Sequence, residues 1–449
     1  MRFVPFAYNI CRHKNVEIMS TLMHYIWKSR MLTSQKLHTT NGEPIRIIEP
    51  GEHTPADGNI FRNARLRIGE REWSGNIILH QRSSDWEKDI HKSGNESYKN
   101  IILHIIESDD IETMLPHGEY IPQLRISYPP EAEREYLAIT KEKKTLPCHD
   151  TIATMPKIHL HSHLSRLLIE RIEEKARRIE ALHSLCNQRW EDTLFKLLAR
   201  NFGFGVQSST FEQWASLLNM QALGKHRDNP LQVEAMFFGQ AGLLEEATIP
   251  AYYRTEALST PYYNELLREY KFLSAKFSLK SMNGKAWSSS STPHLRIARL
   301  ATLYSKANAT LSSISSCNTV KEIEERLQAI PQGYWWNHLQ FGGTTTAGCG
   351  PLRKSQIETL IINTIAPILY IYGKHRNDAT LCSKAEDILH SLPGELNSIT
   401  RRWAQAAIAV DCAADSQALI QLQKNYCDKG ACNKCPFAFT YIKERIQSA

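Results

Sequence analysis

Residues 58–86 read GNIFRNARLRIGEREWSGNIILHQRSSDW, and this stretch decides the fold of the first part of the chain. Within residues 64–68, apolar residues alternate with arginines, which is the period of a strand with one face in a core and one in solvent. Gly69-Glu70 is a hairpin turn signal, and residues 72–80 read as the returning strand. The stretch therefore predicts an antiparallel hairpin.

Further strand-like segments lie on both sides of this hairpin, and residues 20–38 before it have the apolar periodicity of a helix. The predicted strands are 44–48, 64–68, 72–80, 100–107, 123–127 and 136–140. We therefore predict an α+β fold. Its N-terminal domain, residues 19–157, is expected to be a mixed β-sheet of five or six strands with one flanking helix.

From about residue 158 onward the apolar periodicity is helical, so residues 158–449 are predicted to form a larger all-helical domain. The run from Leu360 to Gly373 is apolar nearly all round and contains Pro367, which predicts a buried helix kinked by proline. This run is too short to span a membrane, so no membrane partner is expected. The further predicted helices are 188–201, 210–219, 230–246, 262–278, 293–312, 319–329, 353–373, 379–391, 395–410 and 415–425.

The composition is that of a globular protein, with 42% hydrophobic and 22% charged residues in 449. The net charge of +7 is unevenly distributed, because residues 1–150 contain 20 Lys+Arg against 21 Asp+Glu and the remainder contains 34 against 26. A nucleic-acid surface needs such a surplus to be clustered on one face. A solvated surface of mixed charge is the alternative interpretation.

The start of the chain lacks the apolar core and cleavage pattern of a secretory signal, so a cytoplasmic protein with reduced thiols is expected. Residues 1–18 show no structural pattern, whereas a good helix begins directly after Met19. We hypothesise that Met19 is the initiator. An intact mass of the native protein that includes residues 1–18 would refute this.

Three of the ten cysteines, Cys427, Cys432 and Cys435, have the spacing C-x4-C-x2-C. Zinc sites and iron–sulfur clusters usually need four ligands, so the pattern predicts a zinc or iron–sulfur site with a fourth ligand elsewhere. Cys412, on the preceding predicted helix, and Cys349, in a glycine-rich loop, are the candidates. Three reduced thiols without a metal are the alternative.

Two other patterns are compatible with binding, although each has a simpler interpretation. The aromatic run Tyr334-Trp335-Trp336 is able to stack on bases or sugars, but such clusters more often line a core. The pattern His159-x-His161-x-His163 would place three imidazoles on one face of a strand. It falls at the predicted start of a helix, where that common face would be lost.

Several stretches together resemble a bacterial family, common in Bacteroidetes, that has no established function. They include PGEHTPADGNIFRNARLRI (50–68), GNIILHQRSSDW (75–86), EAMFFGQAGLL (234–244) and IINTIAPILYIYG (361–373). The N-terminal pattern of that family is similar to the active site of PD-(D/E)xK nucleases. The resemblance therefore implies a restriction-endonuclease-like fold for the N-terminal domain.

In those nucleases an Asp on one strand and a Glu two residues before a basic residue on the next strand hold Mg²⁺. The resemblance places the Asp position at Ile60 and the Glu position at Ile78, and of the polar residues it leaves His80, Ser84 and Asp85. Isoleucine offers no oxygen ligand to Mg²⁺. The resemblance thus implies a catalytically degenerate nuclease-like protein that binds nucleic acid without cutting it.

Two alternatives remain open from the residues. In the first, the protein is an active Mg²⁺-dependent nuclease in which Asp57, Glu70 or Glu72 supplies a relocated carboxylate. In the second, it is a structural or interaction protein without catalysis, and Ile60 and Ile78 are ordinary core residues of the sheet.

Overall fold

The computed structural model of the chain describes residues 22–28, 32, 36–52, 58–90, 98, 100–115, 118–128, 131–134, 136, 148–287, 292–405 and 408–447. The chain divides into two compact units. The first takes in the residues up to His163 together with Arg402–Ile408 and Ile420–Ala449, and the second takes in Leu164–Arg401 and Ala409–Leu419. The chain first passes from the first unit to the second after His163, close to the domain boundary predicted after residue 157. The C-terminal segment, assigned from sequence to the helical domain, groups instead with the sheet.

The first unit contains a six-stranded mixed sheet, as the sequence predicts. Its strands are β1 (Leu37–His38), β2 (Pro44–Glu49), β3 (Ile60–Ile68), β4 (Arg71–Arg82), β5 (Ile101–Ser108) and β6 (Gln123–Arg125). They lie in chain order across the sheet. The pairs from β1 to β4 are antiparallel, whereas β5 runs parallel to β4 and β6 runs parallel to β5.

The central hairpin of β3 and β4 follows the predicted alternation. Leu66 and Ile68 are buried, while Arg65 and Arg67 face solvent. Gly69 closes the hairpin with a φ of 59°, a left-handed conformation that glycine adopts without a steric penalty. Asn63, with a φ of 57°, lies in the bulge that interrupts the register of β3 with β4.

Each face of the sheet has its own apolar core. The helix α1, residues 22–28, lies on one face, where Met23 and Trp27 pack with strand residues such as Phe61 and Ile77. The opposite face carries a smaller cluster to which helix α2 (Asp85–Ile90) contributes Trp86. The other buried members of this second cluster are Ile60, Ile78, Ile101 and Ile121.

Two local predictions in this unit are wrong. The predicted helix 20–38 does not extend to its end, because Leu37–His38 pairs with β2 through a turn in which Gly42 has a φ of 85°. The predicted strand 136–140 is wrong at Tyr136, which is helical, and residues 137–140 lie outside the described part. The preceding residues 131–134 are Glu, Ala, Glu and Arg, which favour a helix.

The remaining described elements are predominantly helices, so the larger helical region is confirmed. They are α3 (His149–Thr154), α4 (Lys157–Leu185), α5 (Trp190–Asn201), α6 (Ser208–Leu217), α7 (Met220–Lys225), α8 (Pro230–Gln240), α9 (Ala251–Ser259), α10 (Pro261–Phe277), α11 (His294–Ser305), α12 (Leu311–Ser315), α13 (Val320–Leu327), α14 (Lys354–Leu360), α15 (Ala366–Arg376), α16 (Ala379–Ser391), α17 (Ser398–Gln405), α18 (Ala413–Leu422) and α19 (Pro436–Gln447). Among the described helices, none is both long enough and apolar enough to cross a membrane.

The helical region also contains a short hairpin that the sequence did not predict. Its strands are β7 (His338–Gln340) and β8 (Gly343–Thr344). Gly342 has a φ of 72°, and a β-carbon there would fall on the carbonyl of Tyr253 in α9. Glycine is therefore needed both for the turn and for the close approach to the helix.

The predicted proline-kinked helix is buried, and its irregularity is a π-helical turn at Ile361–Ile365, directly before α15. Pro367 has no N–H to donate to the carbonyl of Asn363. That carbonyl accepts instead from Asn201 Nδ2 at 2.9 Å, and the carbonyl of Ile362 accepts from Lys175 Nζ at 3.2 Å. Side chains of α4 and α5 thus satisfy backbone groups that the irregular turn leaves available.

Candidate functional site

A row of side chains crosses four strands on the face of the sheet that carries α2. Ile60 on β3 pairs with Ile78 on β4, Ile78 pairs with His104 on β5, and His104 pairs with Gln123 on β6. Direct partners in neighbouring strands have their side chains on the same face. Sequence positions separated by up to 63 residues are therefore brought into one line.

The two positions where carboxylates were expected are direct neighbours. Ile60 is 2% exposed and Ile78 is fully buried, and both belong to the cluster that contains Trp86. Cross-strand partners of this kind have Cβ atoms about 4.5–5.5 Å apart. Ile60 and Ile78 therefore lie side by side on the sheet, and both side chains are aliphatic.

A chain of polar side chains continues the row. His80 Nε2 lies 3.0 Å from Asp89 Oδ2, and His80 Nδ1 lies 2.9 Å from His104 Nε2. His104 Nδ1 lies 3.2 Å from Thr113 Oγ1, which also accepts from Gln123 Nε2 at 3.2 Å. His80 and His104 are 5% and 0% exposed, so this network is internal to the sheet unit.

One consistent set of proton positions satisfies the chain with both histidines neutral. Gln123 donates to Thr113, Thr113 donates to His104 Nδ1, and His104 Nε2–H donates to His80 Nδ1. His80 Nε2–H then donates to the carboxylate of Asp89. Burial, and secondarily the adjacent His80, lowers the pKa of His104 to about 3, in agreement with a neutral imidazole.

The end of β4 is tied to the loop after β5 by two serines. Ser83 Oγ donates to Asp110 Oδ1 at 2.7 Å and accepts from the backbone N–H groups of Asp110 and Ile111 at 2.9 and 2.8 Å. Ser84 Oγ donates to Asp110 Oδ2 at 2.7 Å. Hydrogen bonds from Ser83 and Ser84 lower the pKa of Asp110 to about 2. Ser84 is thus a structural partner of Asp110.

The other predicted carboxylates lie away from the isoleucine pair. Asp85 accepts from Lys88 Nζ at 2.6 Å. Glu72 pairs with Arg65 at 2.7 Å, and six residues of extended strand, about 20 Å, separate it from Ile78. Glu70 lies in the hairpin turn at that same distant end. Asp57 lies outside the described residues.

The carboxylate that does meet His80 is Asp89, which sequence reasoning missed together with Thr113, Asp110 and Gln123. Asp89 follows Trp86 by three residues on α2, which places both on the side of the helix that faces the sheet. That helical spacing was the available signal. In the described parts of the chain, no three His, Cys, Asp or Glu side chains are arranged so that they could hold a metal ion.

The other predicted sites have distinct environments. Trp335 is buried at 1% exposure against Phe238, whereas Trp336 is 57% exposed. His159, His161 and His163 lie within the helix α4, where a spacing of two residues turns neighbouring side chains about 200° apart. Cys412 Sγ lies 3.2 Å from Asp415 Oδ2, in the second compact unit, whereas Cys427, Cys432 and Cys435 are in the first.

These features define an α+β protein whose mixed sheet carries an apolar pair and a buried His–His pair on one face, with the half-buried Asp89 of α2 bonded to His80. The chain belongs to the family described as Protein of unknown function (DUF2851), whose model matches residues 20–398. No curated protein and no solved structure matches the chain.

Proposed function

We propose that this protein is a catalytically degenerate nuclease-like protein, with a restriction-endonuclease-like N-terminal domain, that binds nucleic acid without cleaving it. The supporting observation is the direct cross-strand pairing of Ile60 with Ile78. In the correspondence inferred from the sequence, these two positions would hold the metal-binding carboxylates of a PD-(D/E)xK nuclease. A metal site of this kind requires two side chains that meet on one face of the sheet. Aliphatic side chains at both positions are what a catalytically inactive copy of the site would have.

Two carboxylates at these positions would be close enough to share one Mg²⁺ ion, which prefers oxygen ligands. The bound ion would lower the pKa of a water molecule and stabilise negative charge on phosphate. Ile60 and Ile78 provide neither effect. His80, two residues further along β4, is hydrogen-bonded on both ring nitrogens, to Asp89 and His104. The positioning of a water by His80 would require breaking that chain.

Relocated carboxylates are a weaker explanation. Glu72 is held by Arg65 at the far end of the hairpin, and Asp85 is engaged by Lys88. Nucleic-acid binding is supported only by charge, since the residues after 150 carry the whole basic surplus of the chain.

The double substitution Ile60→Asp with Ile78→Glu tests the proposal. Two buried carboxylates repel each other and lose hydration, so the variant should be destabilised without metal. Mg²⁺ at about 100 times its Kd should restore about 2.7 kcal/mol of stability, measured as a rise in Tm. Mg²⁺-dependent cleavage of DNA is the second expected gain.

The matched control is Phe61→Asp with Ile77→Glu, the neighbouring cross-strand pair that faces α1 on the opposite side of the sheet. Both of these residues are also fully buried. It should be destabilised at least as strongly and gain no Mg²⁺ response. An equal response in both variants, or none in the first, contradicts the proposed correspondence of Ile60 and Ile78 to metal ligands.

A further inference from the structure

Four cysteines of the first compact unit lie around the contact between helices α3 and α19. Cys148 is the residue that precedes α3, and Cys435 directly precedes Pro436 at the start of α19. Cys427 ends the π-helical turn Gln423–Cys427, and Cys432 begins the short 3-10 turn Cys432–Lys434. The packing of α3 against α19 thus brings together the segments that carry Cys148 and Cys435, which are 287 residues apart in the sequence.

The loop that carries the three C-terminal cysteines is folded into tight turns. The N–H of Gly430 donates to the carbonyl of Cys427 at 3.1 Å, and the N–H of Cys435 donates to the carbonyl of Cys432 at 3.0 Å. Gly430 has a φ of 63°, which reverses the chain between the two turns. Backbone geometry thus holds Cys427, Cys432 and Cys435 on one small loop.

The four side chains share a shielded environment. Cys435 is 7% exposed, and Cys148, Cys427 and Cys432 are partly buried. None of the four is in a disulfide bond. Burial, followed by the charges of Cys435 and Cys432, raises the pKa of Cys148 to about 12. Burial and the other three thiols likewise raise the pKa of Cys427, against the opposing charge of Arg402.

The contact between α3 and α19 and the tight turns of the loop place the four thiols in one part of the first unit. Thiolates are the form of cysteine that ligates metals, and the charge of a bound metal stabilises them. Four cysteine thiolates are the usual ligands of a structural zinc ion and of iron–sulfur clusters. The chemistry of the group therefore fits a thiophilic metal.

We propose that Cys148, Cys427, Cys432 and Cys435 are the ligand set of a thiolate-bound metal centre, an iron–sulfur cluster or a zinc ion, that fastens the C-terminal segment to α3. The described side chains do not have the arrangement of a bound ion. Metal binding therefore requires a change of rotamer at these thiols. This proposal is independent of the nuclease-like assignment.

Cys148, and not Cys412, is the fourth ligand in this proposal. Cys412 lies in the second compact unit, with its Sγ 3.2 Å from Asp415 Oδ2 and 3.8 Å from His390 Nδ1. Cys349, the other candidate from sequence, is also in that unit, and its Sγ contacts the carbonyl of His338 at 3.4 Å. Both residues are therefore suitable controls.

The test is the metal content of the full chain purified without oxygen, with iron, acid-labile sulfide and zinc measured per chain. Iron with sulfide and visible absorption identifies a cluster, and about one colourless zinc identifies a structural ion. Cys148→Ser should lower the bound metal at least about tenfold, the minimum seen when even an outer partner of a metal site is lost. Cys412→Ser and Cys349→Ser should retain it.

A second measurement covers the case in which Cys148→Ser does not fold. Alkylation of the native wild-type protein, read by mass spectrometry, should modify the four thiols only after a chelator or oxidant removes the metal. Cys412 should react equally before and after removal. Wild-type protein without bound metal overturns the proposal. Metal that is retained by Cys148→Ser, or lost from Cys412→Ser, also overturns the proposal.

Discussion

Burial favours the neutral form of the His104 ring in the folded protein by lowering its pKa. The ring is fully buried between His80 and Thr113, and its pKa is lowered to about 3. In an unfolded chain a histidine has a pKa of about 6.5. Between these two values the unfolded chain binds a proton at this residue and the folded protein does not. Unfolding therefore takes up a proton, and acid favours it.

We expect His104→Gln to reduce the acid sensitivity of the fold. From about pH 6 down to about pH 4, the wild-type free energy of unfolding should fall more steeply than that of the variant, by about 1.4 kcal/mol per pH unit. Above about pH 7 the variant is simply less stable, because it interrupts the chain from Asp89 to Gln123. Urea unfolding at a series of pH values measures both effects.

His159→Gln is the control for the loss of a histidine as such, since His159 is exposed on α4. Its unfolding free energy should follow the wild-type pH dependence. Parallel pH curves for wild type and His104→Gln would show that His104 does not resist protonation in the fold.

The π-helical turn before α15 depends on hydrogen bonds from a neighbouring helix. Asn201, 7% exposed at the end of α5, donates to the carbonyl of Asn363 at 2.9 Å and to Thr364 Oγ1 at 2.8 Å. Pro367 cannot donate a hydrogen bond to the carbonyl of Asn363, because proline has no N–H. A buried acceptor without a partner costs about 1–3 kcal/mol. The packing of α5 against the irregular turn therefore contributes to its stability.

Asn201→Ala should lower the free energy of unfolding by about 1–3 kcal/mol, measured by urea or thermal unfolding. Asn264→Ala is the matched control, because Asn264 Nδ2 also donates to two carbonyls, of Leu258 and Thr260, but at an exposed position. Water replaces those bonds, so the control should change by about 0.5 kcal/mol or less. Equal losses would mean that burial at the π-turn has no special cost.

Over the whole molecule, the division of charge along the sequence does not coincide with the division into compact units. The basic surplus lies entirely after residue 150, whereas the first compact unit draws on both ends of the chain. A net charge of +7 attracts polyanions at low ionic strength, and salt weakens that attraction.

If the protein binds nucleic acid, the logarithm of the association constant should fall linearly with the logarithm of salt concentration. The slope for duplex DNA is about −0.9 per phosphate contacted. Fluorescence anisotropy of labelled DNA and RNA between about 50 and 200 mM salt measures this. An uncharged peptide-backbone analogue of the same base sequence is the control and should not bind. Absence of binding at the lowest salt would favour an interaction protein without a nucleic-acid partner.

The sequence by itself determined the features that depend on local periodicity. The alternation at residues 64–68 and the turn at Gly69 specified the hairpin, and helical spacing specified most of the later helices. The residues flanking Ile60 and Ile78 led to the prediction that these positions correspond to two metal-binding carboxylates. Strand pairing makes them direct neighbours, and the correspondence itself stays a prediction. Such patterns can be read from the sequence because the direction of each side chain follows directly from the backbone repeat of a helix or strand.

Only the tertiary structure decided which distant residues meet. His80 on β4 meets His104 on β5, the carbonyl of Asn363 accepts from Asn201, and α3, which follows Cys148, packs against α19 after the C-terminal loop. Cys412 is closer in sequence to that loop but lies in the other compact unit. Sequence separation is a poor guide here because these contacts depend on the packing of whole helices and strands, to which residues far apart in the chain contribute together.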